Sequence, residues 1–154
     1  MQKLHSFKPA FFVVVFQCPQ SWSTFNRSWY KLFIEEKNWN DAESICNSNI
    51  AQLVSIGSAD ENDFIKRKFL TGNPDYWIGL TDTETEGAWK WTNGATLHGY
   101  TNWSGNQPNG YNQQNCGAII GGTDFTGRWL DASCSANKGF ICELIQWQKS
   151  PNFI

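Results

Sequence analysis

Five cysteines, at positions 18, 46, 116, 134 and 142, constrain this chain more than any other feature of its sequence. Their spacing contains no CxxC unit and no Cys/His cluster, so it does not read as a structural zinc site. The histidines, His5 and His98, stand apart, and neither has a His or Glu partner at helical spacing for a catalytic metal. Disulfides are the reading that remains, and they imply an oxidising compartment. The odd count leaves one thiol over, either to join a second copy of the chain or to stay free.

At 154 residues the chain fits one domain. Its net charge of -2 provides no clustered basic face for nucleic acid. Nine Trp and eleven Phe stand against 17% charged residues, a balance that suits a loop-rich domain packed on large rings and does not suit disorder. Near the N-terminus, Lys3 precedes an apolar run from Ala10 to Phe16 that resembles the tail of a signal peptide, although no small-x-small cleavage site follows before Cys18. A frayed hydrophobic extension fits equally well. The run is far shorter than the ~20 residues a membrane span needs. Sequons at Asn26 and Asn102 fit a secreted chain.

Residues 1–27 lack periodicity and read as an N-terminal arm. SWYKLFI, from Ser28 to Ile34, alternates like a strand with one buried face. Asn38 offers an N-cap to a helix whose Trp39, Ala42, Ile45 and Cys46 share one face. A short apolar strand, QLVSI, follows. Ser58 with Glu61 three residues on forms a capping box for a second helix, with Phe64, Ile65 and Phe69 inward and Gly72-Asn73-Pro74 as its stop. YWIGL reads as a buried strand, and Trp89-Lys90-Trp91 as a hairpin arm. From Thr92 to Asn115 periodicity disappears into Asn, Gly, Gln and Thr, which in a small domain marks either a functional loop or a wrong assignment of elements. CGAII, GRWLDA and KGFICE restore β-structure. The sum is an α+β domain of two helices and a β-rich half with one long loop.

Taken in order, these residues resemble the C-type lectin-like domain family. Trp77-Ile78-Gly79-Leu80 matches its WIGL core strand, and Cys116 and Cys134 flank Trp129-Leu130-Asp131. The match runs from Cys18 to Glu143, which sets the expected domain at 18–143, with an arm or signal-peptide remnant at 1–17 and a tail at 144–154. The resemblance implies antiparallel sheets, a long structureless binding loop, and two bridges, Cys46–Cys142 and Cys116–Cys134. It leaves Cys18 unpaired, because Trp29 occupies the slot of its usual partner eleven residues on. An interchain disulfide giving a homodimer is one consequence, and a free thiol the other.

The resemblance also implies a ligand loop. Sugar-binding members hold a calcium ion between the protein and two sugar hydroxyls, through EPN (mannose-type) or QPD (galactose-type), a following Glu, and a Trp-Asn-Asp triplet. Here Gln107-Pro108-Asn109 is a hybrid motif, Gln114 fills the Glu slot, and Leu130-Asp131 the Asn-Asp pair. Calcium wants six to eight oxygens and its affinity follows their charge. Gln107, Asn109, Gln114 and Asp131 offer three neutral carbonyls and one carboxylate, which places affinity at the weak end of the ~10⁻⁴–10⁻³ M extracellular range, or nowhere. An auxiliary calcium slot maps onto Asp82, Glu86, Gly110 and Asn115, where Asp82 and Glu86 equally serve as turn caps. Tyr111 stands where galactose-type members stack an aromatic on the sugar, while Trp103 matches a core Trp.

These features make the expected function carbohydrate binding, galactose or N-acetylgalactosamine in type, calcium-independent or weakly calcium-dependent. The contacts would come from Gln107, Asn109, Tyr111, Gln114 and Asp131. The expected partners are glycans or glycoproteins, with no cofactor required. A protein-interaction domain on the same fold is the alternative, and ice or mineral binding ranks third. No nucleophile–base pair or phosphate-cradling loop points to an enzyme. The isomer of the Gln107–Pro108 bond stays open at this stage.

Overall fold

The computed structural model describes residues 20–145 apart from 73 and 123. The expected arm at 1–17, the tail at 146–154 and Cys18 lie outside these residues. The chain runs β1 (Ser23–Phe25), β2 (Ser28–Lys37), α1 (Trp39–Ser48), β3 (Gln52–Leu53), α2 (Ala59–Phe69), β4 (Tyr76–Thr81), β5 (Lys90–Trp91), β6 (Cys116–Ile119), β7 (Trp129–Ala132) and β8 (Lys138–Ile145). The final strand extends two residues past Glu143.

Both helices start where their caps predict. The Asn38 side chain accepts the Asp41 N–H at 2.9 Å, and α1 buries Trp39, Ala42 and Cys46. Ser58 Oγ accepts the Glu61 N–H at 3.2 Å, as a capping box requires. The Glu61 carboxylate, however, reaches past the cap residue to the Gly57 N–H at 2.9 Å. The N-terminal arm is shorter than the sequence implies: β1 pairs with β2 across a tight turn, Ser23 opposite Tyr30 and Phe25 opposite Ser28. Three residues are too few to show periodicity, so the hairpin was not visible as a pattern.

All eight strands join one sheet, ordered β1-β2-β8-β4-β6-β7, with β3 on β8 and β5 on β4. Its pairs are antiparallel except β4 with β8, which run parallel through Tyr76–Gly139 and Trp77–Phe140. Neighbouring residues of the central strands serve different cores. Tyr76, Ile78, Leu80 and Ile141 pack with Ile65 and Phe69 of α2, while Trp77, Phe140 and Cys142 pack with Trp39, Ala42 and Cys46 of α1. Burial on both faces explains why YWIGL is continuously apolar instead of alternating. Gly79 is fixed by contact: a Cβ there would sit 2.5 Å from the Leu53 carbonyl oxygen and 2.8 Å from Thr92 Oγ1.

Two bridges tie the ends together. Cys46–Cys142 joins α1 to β8 across a separation of 96 residues, and Cys116–Cys134 joins β6 to the segment after β7. Closing a loop near 100 residues stabilises by up to about 4.7 kcal/mol in the chain-entropy model. The shorter bridge brackets β6 and β7, the strands that carry the long loop's far end.

Candidate functional site

The long loop from 92 to 115 departs from β5 and returns into β6. Its base is anchored on Trp129, whose N–H donates to the Asn102 carbonyl at 2.8 Å and whose carbonyl accepts the Ser104 N–H at 2.8 Å. Trp103 lies edge-on to Trp89 (5.0 Å) and Trp129 (6.0 Å), with Tyr100 and Trp91 also edge-on to Trp129 at 5.7 and 5.6 Å. The Trp129 indole N–H donates to Asn62 Oδ1 at 2.9 Å, and Asn62 in turn donates to the Gly127 carbonyl at 3.0 Å. The satisfied Trp129 indole and the rings packed around it let a segment with almost no ladder bonds hold one shape.

The rim is built differently. The Gln107 N–H bonds the Ser104 carbonyl at 2.8 Å, and the Gln107–Pro108 peptide is cis. Beyond it the chain bends around one carboxylate. Asp131, 3% exposed, accepts the Asn109 N–H on both oxygens (3.1 and 3.0 Å) and the Gly110 N–H at 2.6 Å. A 3₁₀ turn, Tyr111–Gln113, follows, and Tyr111 adopts φ +45°. The Gln114 side chain folds back over Gly110, where any Cβ would overlap it. Asn115 then docks onto β4, its carbonyl accepting Thr81 Oγ1 at 2.7 Å and the Asp82 N–H at 3.2 Å.

These bends place the candidate residues in two layers. Asn109, Gly110, Tyr111, Asn112, Gln113, Gln114 and Ser133 line an open groove at the surface. Tyr111 is 77% exposed at its lip, an unusual position for a ring of that size. Gln107 and Asp131 are absent from the groove lining, and Asp131 touches it only through the Asn109 and Gly110 backbone. Ser133 was not singled out from the sequence. Its one available signal is a position two residues past Asp131 and next to Cys134, which brings its hydroxyl to the groove.

The donors for calcium divide in the same way. In the sugar-coordinating slot, Asp131 is engaged by two backbone N–H groups, Leu130 is half-buried hydrocarbon and Gln114 lies over Gly110. That set does not fit a cation shared with sugar hydroxyls. The auxiliary slot is better supplied. Asp82 Oδ2 accepts the Gly87 N–H at 2.8 Å, but Asp82 Oδ1 and Asn115 Oδ1 are buried without a hydrogen-bond partner, as is Gln107 Oε1 of the sugar-coordinating slot. Glu86 is held above the usual carboxylate range by desolvation, then by the charges of Asp82 and Asp131. Orphaned oxygens beside unneutralised carboxylates form a negative spot that a hard cation or ordered water satisfies. Among the described residues, no cluster of three or more His, Cys, Asp or Glu is arranged to hold a metal ion.

A cavity of about 790 Å³ lies apart from the groove at Tyr111, between the β1–β2 hairpin and the first residues of the long loop, Asn93 to His98. Its carboxylates are already occupied: Glu61 accepts Tyr30 OH at 2.7 Å and the Gly57 N–H, and Glu143 accepts Ser28 Oγ at 2.7 Å and the Ser55 N–H at 3.2 Å. The loop groove has nearly the same volume, about 800 Å³, and is the better site because it presents amides and an exposed ring, whereas the carboxylates of this cavity are spent on neighbouring hydroxyl and backbone donors.

The described residues contain no helix long and apolar enough to cross a membrane. Residues 35–144 match the model of the Lectin C-type domain. The chain is 31% identical over 129 residues to a perlucin-like protein of Mytilus galloprovincialis, covering 81% of each. It matches C-type lectin domain family 4 member M of Nomascus concolor at 31% identity over 82% of this chain, but spans only 31% of that longer protein. Among solved structures, the mouse scavenger receptor C-type lectin carbohydrate-recognition domain superposes with a TM-score of 0.77 at 33% identity, covering 86% of this chain and 100% of that one. A calcium-independent type II antifreeze protein superposes at 0.76 with 27% identity, covering 85% and 96%. With the WIGL strand, both bridges and the Trp129-anchored loop in place, the chain belongs to the C-type lectin domain family.

Proposed function

We propose that this domain, a non-enzymatic carbohydrate-binding module by family, recognises galactose or N-acetylgalactosamine without bridging the sugar through calcium. The observation that carries the reading is the use of Asp131. A carboxylate that would ligate a sugar-bridging cation instead holds the backbone of Asn109 and Gly110 in shape. The groove in front is then read by uncharged groups. Amides of Asn109, Asn112 and Gln114 both donate and accept, as sugar hydroxyls demand. The exposed Tyr111 ring offers a flat apolar surface to the C–H-rich face of galactose. Gln107, the galactose-type lead residue of the motif, favours the same preference.

Calcium belongs to the auxiliary slot of Asp82, Glu86 and Asn115, where it would neutralise the carboxylates and brace the loop. Its affinity there falls at the weak, ~10⁻⁴–10⁻³ M end. Recognition by amides and one ring is weak per site, and a pair of chains joined through Cys18 would raise it by effective concentration. The setting that suits such disulfides and such ligands is extracellular.

A glycan array probed with purified protein in calcium and in EDTA tests the reading. Signal on galactose-terminated glycans in both conditions supports it. Signal abolished by EDTA, or confined to mannose-type glycans, contradicts it. Leu130 favours a second reading, a loop turned toward a non-sugar surface, because it deletes a polar group that sugar-binding members keep. Silence on the array in both conditions would establish that alternative.

A further inference from the structure

The two sequons differ in what the fold does with their asparagines. Asn102 is half-buried at the base of the long loop. Its Nδ2 donates to the Gly127 carbonyl at 2.7 Å, its Oδ1 accepts Arg128 Nη1 at 3.0 Å, and its main-chain carbonyl accepts the Trp129 N–H at 2.8 Å. A sugar on that nitrogen would have to share the space between the Gly127 carbonyl and the Arg128 guanidinium, beside the Trp103–Trp129 bridge. Asn26 stands at the other extreme. It occupies the turn between β1 and β2, is exposed, and makes no side-chain hydrogen bond among the described residues. Its φ of +51° lies in the left-handed region that Asn tolerates, and the turn leaves the residue exposed on a hairpin at the edge of the sheet, at the mouth of the cavity it helps to line. The strand order places this hairpin at the edge opposite β7, which carries Asp131, so a bulky group there leaves the groove at Tyr111 open.

We infer that Asn26 is an N-linked glycosylation site and that Asn102, despite its matching sequon, stays unmodified. The co-reactant is a lipid-diphosphate-linked oligosaccharide. Asn26 Nδ2 forms a bond to C1 of its terminal N-acetylglucosamine, the C1–oxygen bond to the diphosphate breaks, the lipid diphosphate leaves, and Nδ2 gives up one proton. The folded chain also fixes when this happens. Ser28, the hydroxyl residue of the sequon, becomes half-buried and donates to Glu143 Oε1 once β2 pairs with β8. The hydroxyl is therefore available for recognition before those strands close, and transfer precedes their pairing; a glycan placed on Asn102 at that stage would keep its Gly127 and Arg128 contacts from forming, so the folded, secreted chain carries none there.

The full chain, secreted from insect or mammalian cells, is digested and its glycopeptides mapped by mass spectrometry before and after peptide-N-glycosidase. The expected result is a glycan on the peptide carrying Asn26, conversion of that residue to Asp by the enzyme, and an unmodified Asn102. Asn26→Asp, which retains tolerance of positive φ, should lose one glycan's mass on an intact-protein spectrum, and Asn102→Gln should lose none. An unmodified Asn26 in the secreted chain overturns the inference. So does a glycan found on Asn102. Because the site is located directly on the unsubstituted chain, a variant that fails to fold does not remove the test.

Discussion

Replacing Asp131 by Asn changes one oxygen into an NH₂ group and removes one negative charge at nearly constant volume. In the native loop that carboxylate receives the Asn109 and Gly110 N–H groups, the latter at 2.6 Å, from a position 3% exposed. A hydrogen bond to a charged group contributes about 1.5–3 kcal/mol and a neutral one about 0.5–1.5 kcal/mol, so two donors lose about 2–3 kcal/mol together. The loss is local, because these amides regain water when the rim opens while the Trp129 base stays packed. At about 1.4 kcal/mol per tenfold change, amide exchange at Asn109 and Gly110 should accelerate roughly 30- to 150-fold. Hydrogen exchange read by NMR, or by mass spectrometry on the peptide spanning 107–114, measures this. Amides of β4 should keep their native rates. Unchanged exchange at Asn109 and Gly110 would refute the clasp, and equal acceleration in β4 would show a global effect in place of a local one.

Other substitutions probe separate parts of the account. Tyr111→Ala removes a ring that is 77% exposed, so the thermal midpoint should hold while affinity for N-acetylgalactosamine falls about tenfold, as the loss of one ring-stacking contact implies. Gly79→Ala drives a methyl toward the Leu53 carbonyl and Thr92 Oγ1 and should destabilise by about 1–3 kcal/mol, seen as a lower urea midpoint at unchanged slope. Burial above all, with the Glu61 charge adding to it, holds the Glu143 carboxyl above its usual range, against the hydrogen bonds that lower it. The folded state therefore binds that proton more tightly than the unfolded state. Its stabilising contribution is present below about pH 4.3, the unfolded value, and is lost as pH rises through the raised folded value. Glu143→Gln should flatten the stability profile across that window in pH-dependent melting, and a profile identical to that of the unsubstituted chain would contradict the assignment.

Features written in local chemistry were legible in the sequence. Asn38 and Ser58 announce the helices because a cap acts within three residues of itself. The apolar YWIGL run announces a strand buried on two faces. The bridges followed from the family resemblance, since spacing alone does not choose among pairings. Long-range relations were not legible. Nothing in Tyr76 or Gly139 reveals a parallel pairing, and β1 is too short to carry a period. The Glu61 side chain defeats a simple capping-box reading by bonding Gly57, since a flexible carboxylate reaches either of two adjacent N–H groups.

The loop shows the same division. Its sequence displays a carboxylate at 131 and a glycine at 110, which reads as one retained cation ligand and one lost. The fold gives both residues a different employment. Asp131 is turned toward backbone N–H groups, and Gly110 makes room for the Gln114 side chain. Side-chain direction at a bend is set by contacts between segments about twenty residues apart, which no window of sequence contains.

Isothermal titration of the domain with N-acetylgalactosamine, once after exhaustive chelation and once at saturating calcium, tests the central claim most directly. The account predicts binding in both conditions, with affinities that differ by less than tenfold and are lost together in Tyr111→Ala. Binding that vanishes on chelation and returns with calcium would contradict the account, because recognition would then depend on the ion and not on the amides and Tyr111 alone.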